Sequence, residues 1–292
     1  MPFLPHPAPP AEAPALRPGE FEAIRHMAHD TFGLDLRAGK EALVSARLSK
    51  RVRDLGLPDI SHYLDLVQAD RTGVELARLI DALTTNFTSF LREPQHFEIL
   101  SAKVLPALAG RPSFQIWSAG CATGEEPYSI LFHVAEALGE QRASAMKLLA
   151  TDISTRALDA AAAAIYPDQR LREMPPSWPK RYFQRGTGAS LGSIRVRPEW
   201  RQRVTFQRLN LMEDFSHVSK CSVIFCRNVM IYFDKPTQER LVRRFAERLE
   251  PGGWLLIGHS EGLMGIQHGL EYVRPAVYRH PGGAQGGAKR TL

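Results

Sequence analysis

A short apolar run, Phe114 to Trp117, passes through Ser118 and Ala119 into a turn that holds Gly120 and Gly124. It then enters an amphipathic stretch, Pro127 to Leu138, with proline at its first helical turn. Strand, glycine turn and helix in that order commit a chain to crossover connections, which restricts the fold more than any other feature here. The unit recurs. Lys147 to Thr151 reads as a second strand, followed by Asp152 and by Ser154 as N-cap of an alanine-rich helix running to Ala164. Val223 to Cys226 reads as another buried strand, Lys235 to Leu249 as a helix closed by Pro251-Gly252-Gly253, and Trp254 to Gly258 as a further strand. The alternation predicts an α/β domain over residues 85–280, a parallel sheet wrapped by helices on both faces.

Two regions depart from that rhythm. From Leu16 to Thr84 the periodicity is helical: Phe21, Ile24, Arg25 and Ala28 share one face, and Leu76, Leu79, Ile80 and Leu83 another, which predicts a small all-helical N-terminal domain over 16–84. Within it Val44, Leu48, Val52 and Leu55 form an apolar stripe, and Arg47, Lys50, Arg51 and Arg53 fill the remaining arc. The region holds ten basic and eleven acidic side chains, so this positive charge is local. It is either a solvated face or a docking surface for an acidic partner helix. The second departure is Arg181 to Arg208, where Gly186, Gly188 and Gly192 precede alternating Ile194 and Val196, then Val204 and Phe206; this predicts a small antiparallel excursion from the main sheet. Tyr166 to Arg208 carries ten basic and three acidic residues, which concentrates there the net charge of +6.

At the ends, Met1 to Ala15 contains six prolines and reads as a disordered leader, and Pro281 to Leu292 reads as a loose glycine-rich tail. An apolar fraction of 44% over 292 residues excludes disorder of the whole chain. Three cysteines, Cys121, Cys221 and Cys226, with no C-x-x-C spacing, give no sign of a zinc or redox site, and no metal is expected. No secretory signal and no apolar run of the ~18 residues needed to span a bilayer is present, so a soluble cytoplasmic protein is expected.

The glycine turn stands at the carboxyl end of a strand, where open α/β sheets bind small molecules. It is not G-x-G-x-x-G. Glu125 and Glu126 stand where a dinucleotide-binding turn offers bare amides to pyrophosphate; carboxylates there repel phosphate and attract an ammonium or sulfonium group. The plain alternative is a turn whose glutamates complement the helix dipole. Asp152, at the end of the next strand, suits the two hydroxyls of a ribose, or else caps the helix that follows. An acidic turn together with a ribose acid points to a nucleoside with positive charge and no phosphate, a description that S-adenosylmethionine fits.

Four separated motifs then resemble one family. Leu83-Thr-Thr-Asn-Phe-Thr-Ser-Phe-Leu-Arg92, Ala119-Gly-Cys-Ala-Thr-Gly-Glu-Glu-Pro-Tyr-Ser129, Arg185-Gly-Thr-Gly188 and Phe225-Cys-Arg-Asn-Val-Met-Ile-Tyr-Phe-Asp234 are similar, in order, to the chemotaxis receptor glutamate methyltransferases, the CheR family, and Gly258-His-Ser-Glu261 agrees. The resemblance implies a class I (Rossmann-like) S-adenosylmethionine-dependent methyltransferase domain with an inserted antiparallel β-subdomain, preceded by a helical domain. It implies methylation of specific glutamates on chemoreceptor cytoplasmic helices, with S-adenosylhomocysteine as product. By similarity Asn86, Thr88 and Arg92 lie over the methionine end, and Glu125 holds the amino group, with Glu126 as its competitor for that role. Asp152 takes the ribose, Asn210 and Leu211 flank the adenine, and Arg227 and Asn228 complete the pocket. Many members have two aromatics before the arginine of the first motif; here Leu91 is the second residue.

The resemblance makes Arg92 and Tyr232 the candidate catalytic residues, Arg92 to orient the acceptor carboxylate and Tyr232 to hydrogen-bond it or the region of the methyl group. It turns Arg47, Lys50, Arg51 and Arg53 toward the receptor helices. In some members the β-subdomain binds a peptide at the receptor's C-terminus, and the turn Gly186 to Gly192 is the corresponding place. Two rivals remain. A nucleic-acid methyltransferase would use the basic Tyr166 to Arg208 segment, but the stretch Arg227-Asn228-Val229-Met230 lacks the Asn/Asp-Pro-Pro-aromatic loop of amino-directed base methylation, so no nucleic-acid partner is expected. A non-catalytic adaptor would have no need of the acidic turn.

Overall fold

The computed structural model describes residues 16–282, and the expectations for Met1–Ala15 and for the tail beyond 282 lie outside the described residues. The chain divides into two compact units between Thr84 and Thr85. Among the described residues the first contains four helices: α1 (Pro18–Phe32), α2 (Glu41–Asp54), α3 (Ile60–Ala69) and α4 (Val74–Leu83). Each buries one apolar face: Phe21, Ile24 and Ala28 from α1; Val44, Leu48 and Val52 from α2; Ile60, Tyr63 and Val67 from α3; Leu79, Ile80 and Leu83 from α4. Leu55 lies just past the end of α2 and is 36% exposed, so the stripe stops one turn short of the expected length.

Among the described residues the second unit holds ten strands: β1 (Phe114–Ala119), β2 (Met146–Asp152), β3 (Ile165–Pro167), β4 (Phe183–Arg185), β5 (Ser193–Val196), β6 (Val204–Arg208), β7 (Cys221–Cys226), β8 (Leu249–Ile257), β9 (Glu271–Arg274) and β10 (Val277–Arg279). Seven form one sheet in the order β6-β2-β1-β7-β8-β10-β9. The first five run parallel; β10 and β9 close the far edge antiparallel. All six residues of β7 are buried, as a central strand covered on both faces requires. Successive residues feed opposite cores: Ile116, Val223 and Phe225 pack with Phe97 and Phe132, whereas Trp117 and Ile224 pack with Phe215 and Phe245. Among the described residues no helix is long and apolar enough to cross a membrane.

The structure departs from the sequence reading in two places. Val204 and Phe206 do not belong to the antiparallel excursion: β6 pairs in parallel with β2, from Leu148↔Val204 to Asp152↔Arg208, and so forms one edge of the main sheet. The small sheet takes its third strand from upstream instead, in the order β3-β5-β4. Alternation of apolar residues marks a strand but says nothing of which sheet it joins. The second departure is Pro251-Gly252-Gly253, which lies inside β8 rather than between helix and strand. A Cβ on Gly253 would meet the carbonyl oxygens of Glu250 at 2.9 Å and Cys221 at 3.2 Å, and the β7–β8 register slips at this point. The glycines serve a bulge there.

Because β1 lies between β2 and β7, the sheet order reverses at β1. Doubly wound sheets take ligands outside the carboxyl ends of the strands at such a reversal, which here is where the turns after β1, β2 and β7 lie.

Candidate functional site

The turn after β1 is held by the end of β2, since the amides of Gly120 and Cys121 both donate to the Thr151 carbonyl, at 2.8 and 2.9 Å. Gly124 has φ 95°, and a Cβ there would stand 2.8 Å from the Ala161 methyl and 3.0 Å from its Cα. At Gly120, φ 85°, a Cβ would come within 2.3 Å of a Val229 methyl. The close approach that these glycines permit is therefore made first by protein, namely the helix Thr155–Ala163 and the segment after β7.

Glu125 and Glu126 open the helix Glu125–Leu138, and both are buried, yet they have different surroundings. Glu126 accepts from the Ser118 hydroxyl at 2.7 Å and from Arg227 Nη1 at 3.0 Å. Burial pushes its carboxyl up from the ordinary range, and the Arg227 cation opposes that rise. Glu125 accepts from the Thr123 hydroxyl at 2.6 Å and, among the described residues, has no ion-pair partner. Its side chain is only 3% exposed.

Asp152 ends β2 with both oxygens directed by backbone, Oδ2 accepting from Ala122 N at 2.8 Å and Oδ1 from Ser154 N at 2.9 Å. Ser154 caps the next helix, as expected, by accepting from Ala157 N at 3.0 Å. The same hydroxyl oxygen accepts from Asn86 Nδ2 at 3.4 Å, which brings the 86–92 segment to this end of the sheet. Thr88, on that segment, is buried. After β6 the amide of Leu209 donates to the Asp152 carbonyl at 3.0 Å, so Asn210 and Leu211, both buried, follow directly beside the ribose candidate. Asn210 is folded on its own loop, accepting from Met212 N at 3.0 Å and donating to Glu213 at 3.2 Å.

Arg92 turns back on its own segment, donating to the Phe87 carbonyl at 3.0 Å with its guanidinium 5.9 Å from the Phe87 ring, itself 70% exposed. Tyr232 closes the 3₁₀ turn Met230–Tyr232 and is half-buried. Arg227 follows β7 directly. It donates to Glu126, to Glu93 Oε2 from Nε and Nη2 at 3.2 and 3.1 Å, and to the Arg92 carbonyl. Asn228, at φ 59°, donates its side-chain amide to Glu93 Oε1 at 3.4 Å. Sequence reasoning missed Glu93 altogether. Glu261 it quoted only as part of a motif, yet this carboxylate accepts from the amides of Asn228, Ile231 and Gly258 at 3.0, 3.1 and 2.5 Å and so shapes the turn that carries Tyr232.

Donor atoms of Glu93, His96 and His259 fall within 4.8 Å of one another, a spacing open to a metal ion. Arg227 is already paired with Glu93, however, and an added cation would have to approach that guanidinium, so the trio reads as an internal joint. His96 is buried with neither ring nitrogen hydrogen-bonded; burial first, then the Arg227 cation, push its pKa down to about 3, against a weaker upward pull from Glu93. The folded value lies below the unfolded ~6.5, so its contribution to stability is complete above that pH and drains away as pH falls toward the folded value. Unfolding free energy should drop by on the order of 2 kcal/mol between pH 7 and pH 5 from this one group. Urea titrations of His96→Leu at both pH values should show a slope smaller by about one proton. An unchanged slope would mean His96 is charged in the folded chain.

In the first unit the four basic residues of α2 separate. Arg51 makes a two-pronged pair with Glu75 at 2.7 and 2.6 Å, and Arg47 donates to the Leu83 carbonyl at 2.6 Å. Lys50 and Arg53 are exposed.

Comparison with known proteins accounts for nearly the whole described chain. Residues 86–278 match the family described as CheR methyltransferase, SAM binding domain, and residues 19–84 match CheR methyltransferase, all-alpha domain. A chemotaxis protein methyltransferase of Klebsiella aerogenes is 43% identical over 265 residues, covering 90% of this chain and 90% of the relative. Chemotaxis protein methyltransferase 2 of Pseudomonas aeruginosa is 42% identical over 260 residues, covering 89% and 92%. The Escherichia coli chemotaxis protein methyltransferase is 38% identical over 265 residues, covering 90% and 91%.

Proposed function

We propose that this chain, which belongs to the CheR family of chemotaxis methyltransferases and carries that family's S-adenosylmethionine-binding domain, methylates glutamate side chains on the cytoplasmic helices of chemoreceptors. The observation that carries this reading is the division of labour in the acidic turn. Glu126 is paired with Arg227, which it shares with Glu93, while the buried Glu125 side chain has no ion-pair partner among the described residues and suits an amino acid ammonium.

The remaining roles are those that the family resemblance implies. Asp152, at the end of β2 with its oxygens held by the Ala122 and Ser154 amides, is the acid suited to the ribose hydroxyls. Asn86 and Thr88 cover the methionine end, Asn210 and Leu211 flank the base, and Arg227 and Asn228 shape the wall of the pocket. S-adenosylmethionine held by these residues would supply an electrophilic methyl group to a carboxylate acceptor, with S-adenosylhomocysteine as the product.

A glutamate acceptor, with its reference pKa of ~4.3, is already ionised at neutral pH, so the chain need not supply a base. What it must supply is alignment, which is worth on the order of 7 kcal/mol or more. Arg92 orients the incoming carboxylate once it leaves the Phe87 carbonyl. Too tight a grip would stabilise the ground state and slow transfer, so orientation rather than affinity is its part. Tyr232 offers a hydroxyl near the methyl. The reading is tested by transfer of labelled methyl to receptor cytoplasmic fragments. Base-labile, volatile label is expected; base-stable label, or label on nucleic acid, would replace the reading with another.

Receptor helices that present glutamates at helical spacing suit the exposed charge of α2, and a receptor C-terminal peptide suits the β-subdomain. Since Arg47 and Arg51 are tied within their own unit, Lys50→Ala with Arg53→Ala is the cleaner test of docking. The double variant should methylate receptor roughly 3- to 10-fold more slowly at low salt, with a flatter salt dependence and ordinary S-adenosylmethionine binding. Equal rates at every salt concentration would remove α2 from the interface.

A further inference from the structure

We infer that Glu93 is a positioning residue for methyl transfer, setting Arg92 and the Tyr232 turn in one frame through Arg227; the inference rests on the methyltransferase reading above. Arg92 stands between two non-glycine residues in the left-handed region, Leu91 at φ 52° and Glu93 at φ 56°. Such backbone persists only where its surroundings over-determine it, and it collects at working sites. The anchors are visible. Leu91 N donates to the Ser129 hydroxyl at 2.9 Å, on the helix that Glu125 opens. The Arg92 carbonyl takes a bond from Arg227.

Glu93 does most of the tying. One carboxylate oxygen receives Arg227 twice, and the other receives the Asn228 side chain and the His259 amide at 3.4 and 3.2 Å. Three chain segments, at 91–93, after β7 and after β8, thus converge on a single side chain. Arg227 continues the connection to Glu126, next to the proposed ammonium site, and Glu261 carries it from Asn228 to Ile231, next to Tyr232. No part of this requires Glu93 to touch either substrate. Its effect is to fix the backbone from which Arg92 extends.

The test is a double-variant cycle on the full chain. Glu93→Gln keeps the shape and removes the charge; kcat for receptor methylation should fall roughly 10- to 100-fold, as expected for a misplacement near 1 Å, while the Kd for S-adenosylmethionine changes by less than about threefold. In the Glu93→Gln background, Arg92→Ala should cost little more, because its alignment is already lost. Losses that multiply, or an unchanged kcat, would overturn the inference. If Glu93→Gln does not fold, Glu93→Asp decides: reduced kcat with cofactor binding kept supports a positioning role, and wild-type kcat or failure to fold overturns it. Wild-type chain that binds S-adenosylmethionine but labels no receptor fragment would instead overturn the methyltransferase reading on which this one stands.

Discussion

Glu125→Ala should weaken S-adenosylmethionine binding by roughly 100-fold and leave thermal unfolding nearly unchanged, as calorimetric titration and a melting curve will register together. A hydrogen bond to a charged partner contributes about 1.5–3 kcal/mol, and about 2.7 kcal/mol corresponds to that factor. The fold should not suffer, because among the described residues Glu125 pairs with no cation and accepts only a threonine hydroxyl, so its removal strands no opposite charge. Glu125→Gln separates charge from shape, and its loss should fall between those of wild type and alanine. Glu126→Ala should behave in the opposite sense: cofactor affinity reduced little, stability reduced markedly, since Ser118 loses its acceptor and Arg227 loses one of its two carboxylates. Were Glu126→Ala to abolish binding while Glu125→Ala spared it, the two roles would have to be exchanged.

That pair shows what a sequence can and cannot carry. Spacing placed two carboxylates at one helix N-terminus and explained why an acid there favours a cation, but adjacent residues on a helix point about 100° apart, and which of them faces the protein is settled by a partner 101 residues away. Ser154 was legible because a cap is a local device, made by a hydrogen bond over three residues. The assignment of β6 to a sheet was not, because its pairing to β2 is non-local and edge position leaves no mark in the strand itself. Glu93 had the least chance of being found. Its surroundings come from the turn after β7 and the loop after β8, 134 to 166 residues on, and nothing in Arg92-Glu93-Pro94 distinguishes a clamp from a solvated helix start. The basic face of α2 was legible as charge but not as availability, since Arg47 and Arg51 are committed to Leu83 and Glu75.

The same reasoning gives Arg227 the largest expected effect on stability. Arg227→Met keeps the aliphatic bulk beside Phe97, whose ring lies 5.9 Å from the guanidinium, but leaves Glu126 and Glu93 without their cation. Breaking a buried pair by removing one partner costs about 3–5 kcal/mol, far more than the pair adds when intact, because a charge remains buried with nothing to oppose it. The deficit should depend on pH in a definite direction. The Glu126 carboxyl is already raised by burial even with Arg227 present, and losing the cation raises it further. A carboxyl raised in the folded state is least unfavourable when protonated, so the variant should lag behind wild type less at pH 5 than at pH 8. Adding Glu126→Gln to Arg227→Met should recover part of the loss at pH 8 and little at pH 5, since it removes the charge that low pH would neutralise. Urea unfolding of the wild type and both variants at the two pH values measures this directly. An Arg227→Met variant within about 1 kcal/mol of wild type at pH 8 would show that the guanidinium is not the structural centre of the site, and its place beside the pocket would then have to be explained by contact with the cofactor itself.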